Sequence, residues 1–231
     1  MPPPTADGSV PDMNPQDGIT RIRISDSKGP GLRFTGHLDM QRIWERLLRR
    51  SGLPIRYSQG YNPRARLNLA SALPLGFTSN AELLDFWMDE PRPFEEIYTQ
   101  LAASAPPDLV INAISQVPLS EDSLQSQMRT SQFIVEFYDP QAREVLEGKV
   151  ETVLAADSLE RTRRKKTYDL RPLILDLAVE TGERGEVCLS MQLKAEPGAT
   201  GRPDEVLEVL GFGVTDALVH RTGITLASDT I

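Results

Sequence analysis

A single cysteine, Cys188, stands in the whole chain, so no internal disulfide can form. A structural zinc site or an iron–sulfur cluster, which usually takes three or four such ligands, also lacks its raw material. Histidine is almost as scarce, with His37 and His220 alone. Most metal and triad chemistries are thereby removed, and the chain is expected to bind no metal or cofactor of its own. No stretch approaches the roughly 18 consecutive apolar residues that cross a bilayer. The N-terminus, MPPPTADGSV, has neither a basic n-region nor an apolar h-region, so it is not expected to act as a secretory signal. The expected location is the cytoplasm, off any membrane. Apolar residues make up 39% of the chain, lean but enough for a packed core, so wholesale disorder is not expected.

What the chain does have is an uneven charge distribution. The formal net charge is −8, yet the span from Arg21 to Arg66 holds eleven Lys/Arg against only Asp26, Asp39 and Glu45, a local balance of +8. The remainder of the chain is therefore at −16. A second basic knot, RTRRKK, runs from Arg161 to Lys166. Concentrated cationic segments on an acidic molecule attract polyanions, although such runs are also simply solvated or paired with acids.

Residues 1–18, rich in Pro, Gly, Asp and Asn, read as a disordered tail. Beyond it, periodicity predicts a strand over Thr20–Ser25, a turn at Lys28–Gly31 and a helix over about Leu38–Ser51 with an apolar stripe of Met40, Ile43, Trp44, Leu47 and Leu48. Gly52 and Pro54 are its stop signals. Strands follow over Arg64–Leu73 and Ala81–Asp89, a helix over Pro93–Ala103 and a strand over Leu109–Val117. After a polar linker, 119–130, the same order returns: strand Ser131–Tyr138, helix Gln141–Ala156, strands Leu170–Glu180 and Glu186–Ala195, helix Pro203–Leu210, strand Asp216–Ala227. The expected fold is α+β, two tandem ferredoxin-like β-α-β-β-α-β domains at 19–118 and 131–231, with antiparallel sheets and helices on one face.

Candidate functional residues concentrate between Arg33 and Phe86. The first helix carries Arg42, Arg46, Arg49 and Arg50 off its apolar stripe, with Arg33 just ahead of it. The loop Tyr57-Ser-Gln-Gly-Tyr-Asn-Pro-Arg64 combines aromatics, amides, a glycine and an arginine. Tyr57 and Tyr61 suit base stacking, Gln59 and Asn62 base edges, Arg64 phosphate. Arg163, Arg164, Lys165 and Lys166 would add a second backbone contact. Each set has a plainer reading: the tyrosines pack on the sheet, His37 caps a helix or pairs with Asp39, and RTRRKK is a solvated hairpin arm. Cys188, in a strand pattern, reads as a buried thiol.

The stretch RFTGHLDMQRIWERLLRRSGLPIRYSQGYNPRARLNLASALPLG resembles the radical-SAM-linked family, a bacterial family of unknown function. The likeness is dense from Arg33 to about Asp85 and weaker afterwards, where RTRRKKTYDLRPLI (Arg161–Ile174) also fits. Tyr61 replaces the family's usual Phe, and Arg64 stands where its pattern has His. The resemblance implies an accessory, non-catalytic subunit partnered with a radical-SAM protein of cobalamin-binding type. Neighbouring genes of the ribonuclease E/G and ribosomal-protein kinds, also implied by the resemblance, point to RNA.

Three functions stay open at this level. The first is an RNA-binding partner of a radical-SAM enzyme. The second is a protein-interaction module that docks on that enzyme without RNA. The third is a metal-independent endoribonuclease using His37 as general base; tandem ferredoxin-like domains resemble, in fold alone, the CRISPR repeat-RNA processing endoribonucleases.

Overall fold

The computed structural model describes residues 18–163 and 165–230. Apart from Gly18, the segment expected as a tail lies outside the described residues, as does Arg164. The chain is α+β and divides into two compact units. The first takes residues up to Leu75 together with Ala81–Gln125, and the second takes Gly76–Asn80 together with everything from Ser126. Among the described residues no helix is long and apolar enough to cross a membrane.

The elements of the first unit are β1 (Thr20–Lys28), α1 (His37–Arg50), β2 (Leu67–Leu69), β3 (Thr78–Met88, its first three residues belonging to the second unit), α2 (Phe94–Ser104) and β4 (Leu109–Val117). Its strands run β4-β1-β3-β2. β1 forms because apolar and polar residues alternate, and the alternation places Ile22 and Ile24 in the core. The same parity carries Asp26 and Lys28 inward. α1 forms because Met40, Trp44, Leu47 and Leu48 recur at helical spacing, and all four are buried. Burying each is worth about 1.5–3 kcal/mol. The helix stops at Ser51, followed by Gly52 at φ +75°, a left-handed turn that glycine enters without a Cβ penalty. Ile97 and Leu101 of α2 join the same core as α1, β1 and β3. After β1 the chain turns tightly against Asp108, whose carbonyl oxygen accepts the Gly29 N–H at 2.7 Å. A Cβ on Gly29 would lie 2.6 Å from the Asp108 carboxylate, so the KGPG turn requires glycine there.

The residues of β1 and β3 that face away from this core build an ionic cluster. Arg21 donates from Nε and Nη2 to Asp85 Oδ2 at 2.9 and 2.6 Å. Arg23 reaches the same carboxylate at 2.8 and 3.1 Å. Arg21 also donates to the carbonyl oxygens of Glu121 and Asp122 at 2.6 and 2.9 Å, and its guanidinium stacks over Trp87 at 5.2 Å. Arg21 and Asp85 are 2% and 0% exposed, so the cluster has almost no access to water.

A short helix, α3 (Leu124–Gln127), leads to the elements of the second unit. These are β5 (Met128–Phe137), α4 (Arg143–Ala155), β6 (Glu160–Arg163), β7 (Lys166–Asp169), β8 (Ile174–Thr181), β9 (Val187–Glu196), β10 (Ala199–Thr200), α5 (Pro203–Val209) and β11 (Ala217–Leu226). Its main strands run β8-β9-β5-β11, and β10 pairs with the end of β9. Phe133, Val135, Leu146, Val150, Leu189 and Val219 are among its buried residues.

The structure differs from the periodicity reading in several places, among them β1, which runs on to Lys28. The strand expected over Arg64–Leu73 shrinks to β2, because the segment changes partners: Ala65 bridges Tyr57, Arg66 donates to the Arg56 carbonyl oxygen while accepting from Trp87 of β3, and the ladder with β3 covers Leu67–Leu69. β3 starts at Thr78 rather than Ala81, because Thr78 and Ser79 pair with His220 and Arg221 of β11. That pairing is parallel, where antiparallel sheets were expected. The basic knot lies on a two-stranded hairpin, β6–β7, as its plainer reading has it, with Lys165 at φ +67° in the turn.

Candidate nucleic-acid interface

Helical spacing places Leu38, Gln41, Arg42, Glu45 and Arg49 on one side of α1. The loop after Tyr57 closes on itself: Ser58 N–H donates to the Arg64 carbonyl oxygen at 2.8 Å, and Arg64 N–H donates to Ser58 Oγ at 3.1 Å. Gly60, at φ +147°, turns its tip. The closed loop sets Asn62, Pro63 and Arg64 opposite the helix face, and together they line an open groove of about 570 Å³. Four of the sequence candidates, Arg42, Arg49, Asn62 and Arg64, therefore share one site.

Three arginines around this face, Arg46, Arg49 and Arg64, have no acidic partner among the described residues. Arg42 pairs with Asp39 at 3.1 Å, but both side chains are exposed, so the pair is worth little and exchanges readily for another anion. Glu45 accepts a hydrogen bond from Gln41 at 3.2 Å and adds one negative charge to the wall. Tyr61 is fully exposed at the loop tip, an unobstructed ring face. Gln59 is exposed on the same loop.

Other candidates lie elsewhere. Tyr57 packs against the core of the first unit and is half-buried. Arg50 donates to the Ser104 carbonyl oxygen at 2.9 Å, tying α1 to the end of α2. Arg33 holds its guanidinium 4.9 Å from the Phe34 ring centre. His37 is the first residue of α1, behind Gly36 as cap, and Asp39 turns to Arg42.

His37 lines a small cavity instead, beside Asp26, Lys28, Trp44, Ser71 and Glu82. Burial pushes the Asp26 carboxyl well above the usual carboxylate range, and nearby Glu82 pushes the same way. In the unfolded chain that group ionises near pH ~4. An acid whose folded-state pKa is raised stabilises fully below the unfolded value and loses that contribution as pH rises through the folded one. Asp26→Asn cannot ionise, so it is expected to flatten this fall and raise Tm at neutral pH by about 3 °C or more. Thermal unfolding of both forms from pH 4 to 8 checks this; a variant that melts lower at pH 7 contradicts it.

In the second unit, hairpin β6–β7 carries Arg163, Lys165 and Lys166 near its turn, the two lysines exposed. Arg161, at its base, is not available to a ligand. It donates to Glu205 at 2.6 Å and also binds Glu208, contacts that hold its guanidinium above its ordinary pKa. Tyr168 is raised by burial and by Glu205. Cys188 is buried, and burial together with Glu180, Glu186 and Glu136 pushes its thiol up. A thiol reagent is expected to leave native protein unmodified and to label it stoichiometrically in denaturant; rapid labelling of the native form contradicts this burial. Among the described residues no group of three or more His, Cys, Asp or Glu is placed to hold a metal ion.

Sequence reading missed Gln41 and Glu45 as groove residues, although their spacing from Arg42 and Arg49 on one helix was available as a signal. It also missed Asp26, Ser71 and Glu82.

Residues 21–203 match a family described as "Uncharacterized protein conserved in bacteria (DUF2344)". No curated protein matches. Among solved structures, the chain is similar to one in a Cbf5-Nop10-Gar1 complex, at 9% identity and TM-score 0.45, covering 88% of this chain and 48% of that one. A second likeness is to the archaeal box H/ACA sRNP Nop10-Cbf5 complex, at 8% identity and TM-score 0.39, covering 91% and 47%. A third is to a putative glycine cleavage system transcriptional repressor, at 12% identity and TM-score 0.25, covering 87% and 95%. The chain spans about half the length of the chains it matches in the two Cbf5 complexes.

Proposed function

We propose, from the premise that the chain belongs to the bacterial family DUF2344, that its first unit binds single-stranded RNA in the groove between α1 and the Tyr57–Arg64 loop. The observation that carries this reading is the convergence of Arg42, Arg49, Asn62 and Arg64 on one open groove, with a fully exposed Tyr61 on the same loop. Cations along a groove neutralise phosphates, and an exposed aromatic ring stacks on unpaired bases without regard to sequence. An acidic chain that clusters its unpaired arginines here directs a polyanion to this face. Arg163, Arg164, Lys165 and Lys166 supply a second, weaker contact in this reading.

Both units are read as ferredoxin-like domains in tandem. Each runs β-α-β-β-α-β, with its first and third strands side by side in the middle of four, and the second unit inserts the β6–β7 hairpin.

The test is fluorescence anisotropy of a labelled, unstructured RNA against a salt series. Four arginine contacts (Arg42, Arg46, Arg49 and Arg64) predict a log–log slope near −3, at about −0.7 per phosphate. Absence of binding at low salt overturns the proposal. The same incubation with EDTA addresses a His37-dependent nuclease: intact RNA is expected.

A protein partner is a second reading with an observation of its own. Phe34, Leu38 and Leu75 are 75%, 67% and 61% exposed, and a Cβ on Gly36 would lie 3.7 Å from Leu75. Apolar side chains left in water around the start of α1 suit a protein contact. In this reading the chain is an accessory subunit docked there on a radical-SAM protein of cobalamin-binding type, the partner its Arg33–Asp85 stretch implies. Co-purification that survives nuclease and is lost in Phe34→Ser/Leu38→Ser supports it.

A further inference from the structure

A strand at the rim of a sheet leaves every second backbone N–H and C=O group without a ladder partner, and proteins blunt such rims with charge, proline, short length or a covering group. The described strands follow that rule with one exception. In the second unit, β8 carries Asp176 and Glu180, and its pairing with β9 is broken by a register shift after Ile174. β10 is two residues long, and both strands of the β6–β7 hairpin are short and charged. In the first unit β2 is three residues long, and the Gln125 side chain donates to the Leu69 carbonyl oxygen at 2.6 Å. The exception is β4, the opposite rim of that unit. Its nine residues, LVINAISQV, hold no charge and no proline.

The second half of β4 is the part shaped for pairing. A register shift between Ser25 and Asp26 sets Asn112 apart as a bulge, and from Ala113 to Val117 the ladder with β1 is regular. Among the described residues, no backbone hydrogen bond outside that ladder reaches Ala113–Val117. Ile114 packs against the core, whereas Ala113 and Ser115 are exposed. Such small side chains let another backbone come within ladder distance, about 4.8 Å.

Charge and symmetry narrow the occupant. The chain carries a net charge of −8, so two copies repel wherever their acids face each other, and an uncharged rim is where they meet with least opposition. A twofold axis across a strand produces an antiparallel ladder in which one stretch serves both copies. With the axis at Ser115, Ala113 lies opposite Val117 and Ile114 opposite Gln116, all neutral pairs.

We propose that the outer edge of β4 is a self-association surface, on which Ala113–Val117 pairs antiparallel with the same residues of a second copy of this chain. The inference is independent of the RNA reading. Five paired residues bury less than the roughly 1,200 Å² of a stable interface, so the dimer is weak and concentration-dependent.

Sedimentation equilibrium of the full chain from about 5 to 500 μM is expected to show an average mass rising toward twice the monomer's. Ser115→Lys sets like charges opposite each other at the axis and is expected to stay monomeric through the series, whereas Ser115→Thr keeps the dimer. Ser115→Cys reads the register. Opposed Cα atoms about 4.5–5.5 Å apart are within disulfide reach, so mild oxidation yields a covalent dimer. Wild type, its Cys188 buried, does not form it. A wild type that is monomeric at the top concentration overturns the proposal. So does a dimer that Ser115→Lys leaves intact, which places the contact on another surface, and so does a Ser115→Cys chain that dimerises without crosslinking.

Discussion

Asp85→Ala is expected to cost the first unit about 3–5 kcal/mol, a large part of the roughly 5–15 kcal/mol that stabilises an ordinary domain. The magnitude follows from what remains. Removing the carboxylate leaves the guanidinium of Arg21, 2% exposed, with only two backbone carbonyls, and strips Arg23 of two hydrogen bonds. Arg23 would keep Glu121 at 3.2 Å, but Arg21 would remain a buried cation with no carboxylate partner. Asp39→Ala removes an equally visible ion pair with Arg42 at an exposed site, and is expected to cost under about 1 kcal/mol. Urea denaturation of the two variants separates them; similar midpoints would contradict the assignment of Asp85 as the centre of a buried cluster.

The second large effect is on RNA affinity. Arg42→Ala/Arg49→Ala/Arg64→Ala removes three groove cations, and the salt slope is expected to fall by about 2. Tyr61→Ala removes stacking without removing charge, so it is expected to cost about 1–3 kcal/mol of affinity and leave the slope as it was. The two signatures are independent: one changes how binding depends on salt, the other how strong it is at every salt concentration. Charge removal that leaves the slope unchanged would move the interface away from α1.

The parts of the structure that were legible in the sequence are those governed by a local period. β4 spans Leu109–Val117 as its alternation indicates, and α1 follows its Met40–Trp44–Leu48 stripe to within a residue at either end. What escaped depends on distant partners. Nothing near Arg21 announces Asp85, 64 residues away, and β2 is short because Ala65 and Arg66 pair with Tyr57 and Arg56 before the chain reaches β3. The groove was legible as a composition, arginines and a Tyr-Ser-Gln-Gly-Tyr-Asn loop, but the division of labour between Tyr57, packed on the core, and Tyr61, in solvent, is a property of the loop closure at Ser58 and Arg64. Asp26 was hidden by ending β1 at Ser25. Three more residues of the same alternation put it on the buried face. In the Arg161–Lys166 knot the charge run was visible, but the capture of Arg161 by Glu205 and Glu208 on α5 was not.

The central claim, a groove on the first unit that receives single-stranded RNA, is tested most directly by photocrosslinking. A short 4-thiouridine RNA is bound to the full chain at low salt, irradiated, and the attached peptides are identified by mass spectrometry. The account predicts crosslinks within residues 57–66 and on the Leu38–Arg49 face of α1, lost in Tyr61→Ala and in the triple arginine variant. Crosslinks confined to the 160–169 hairpin, or spread evenly over the protein, would contradict it.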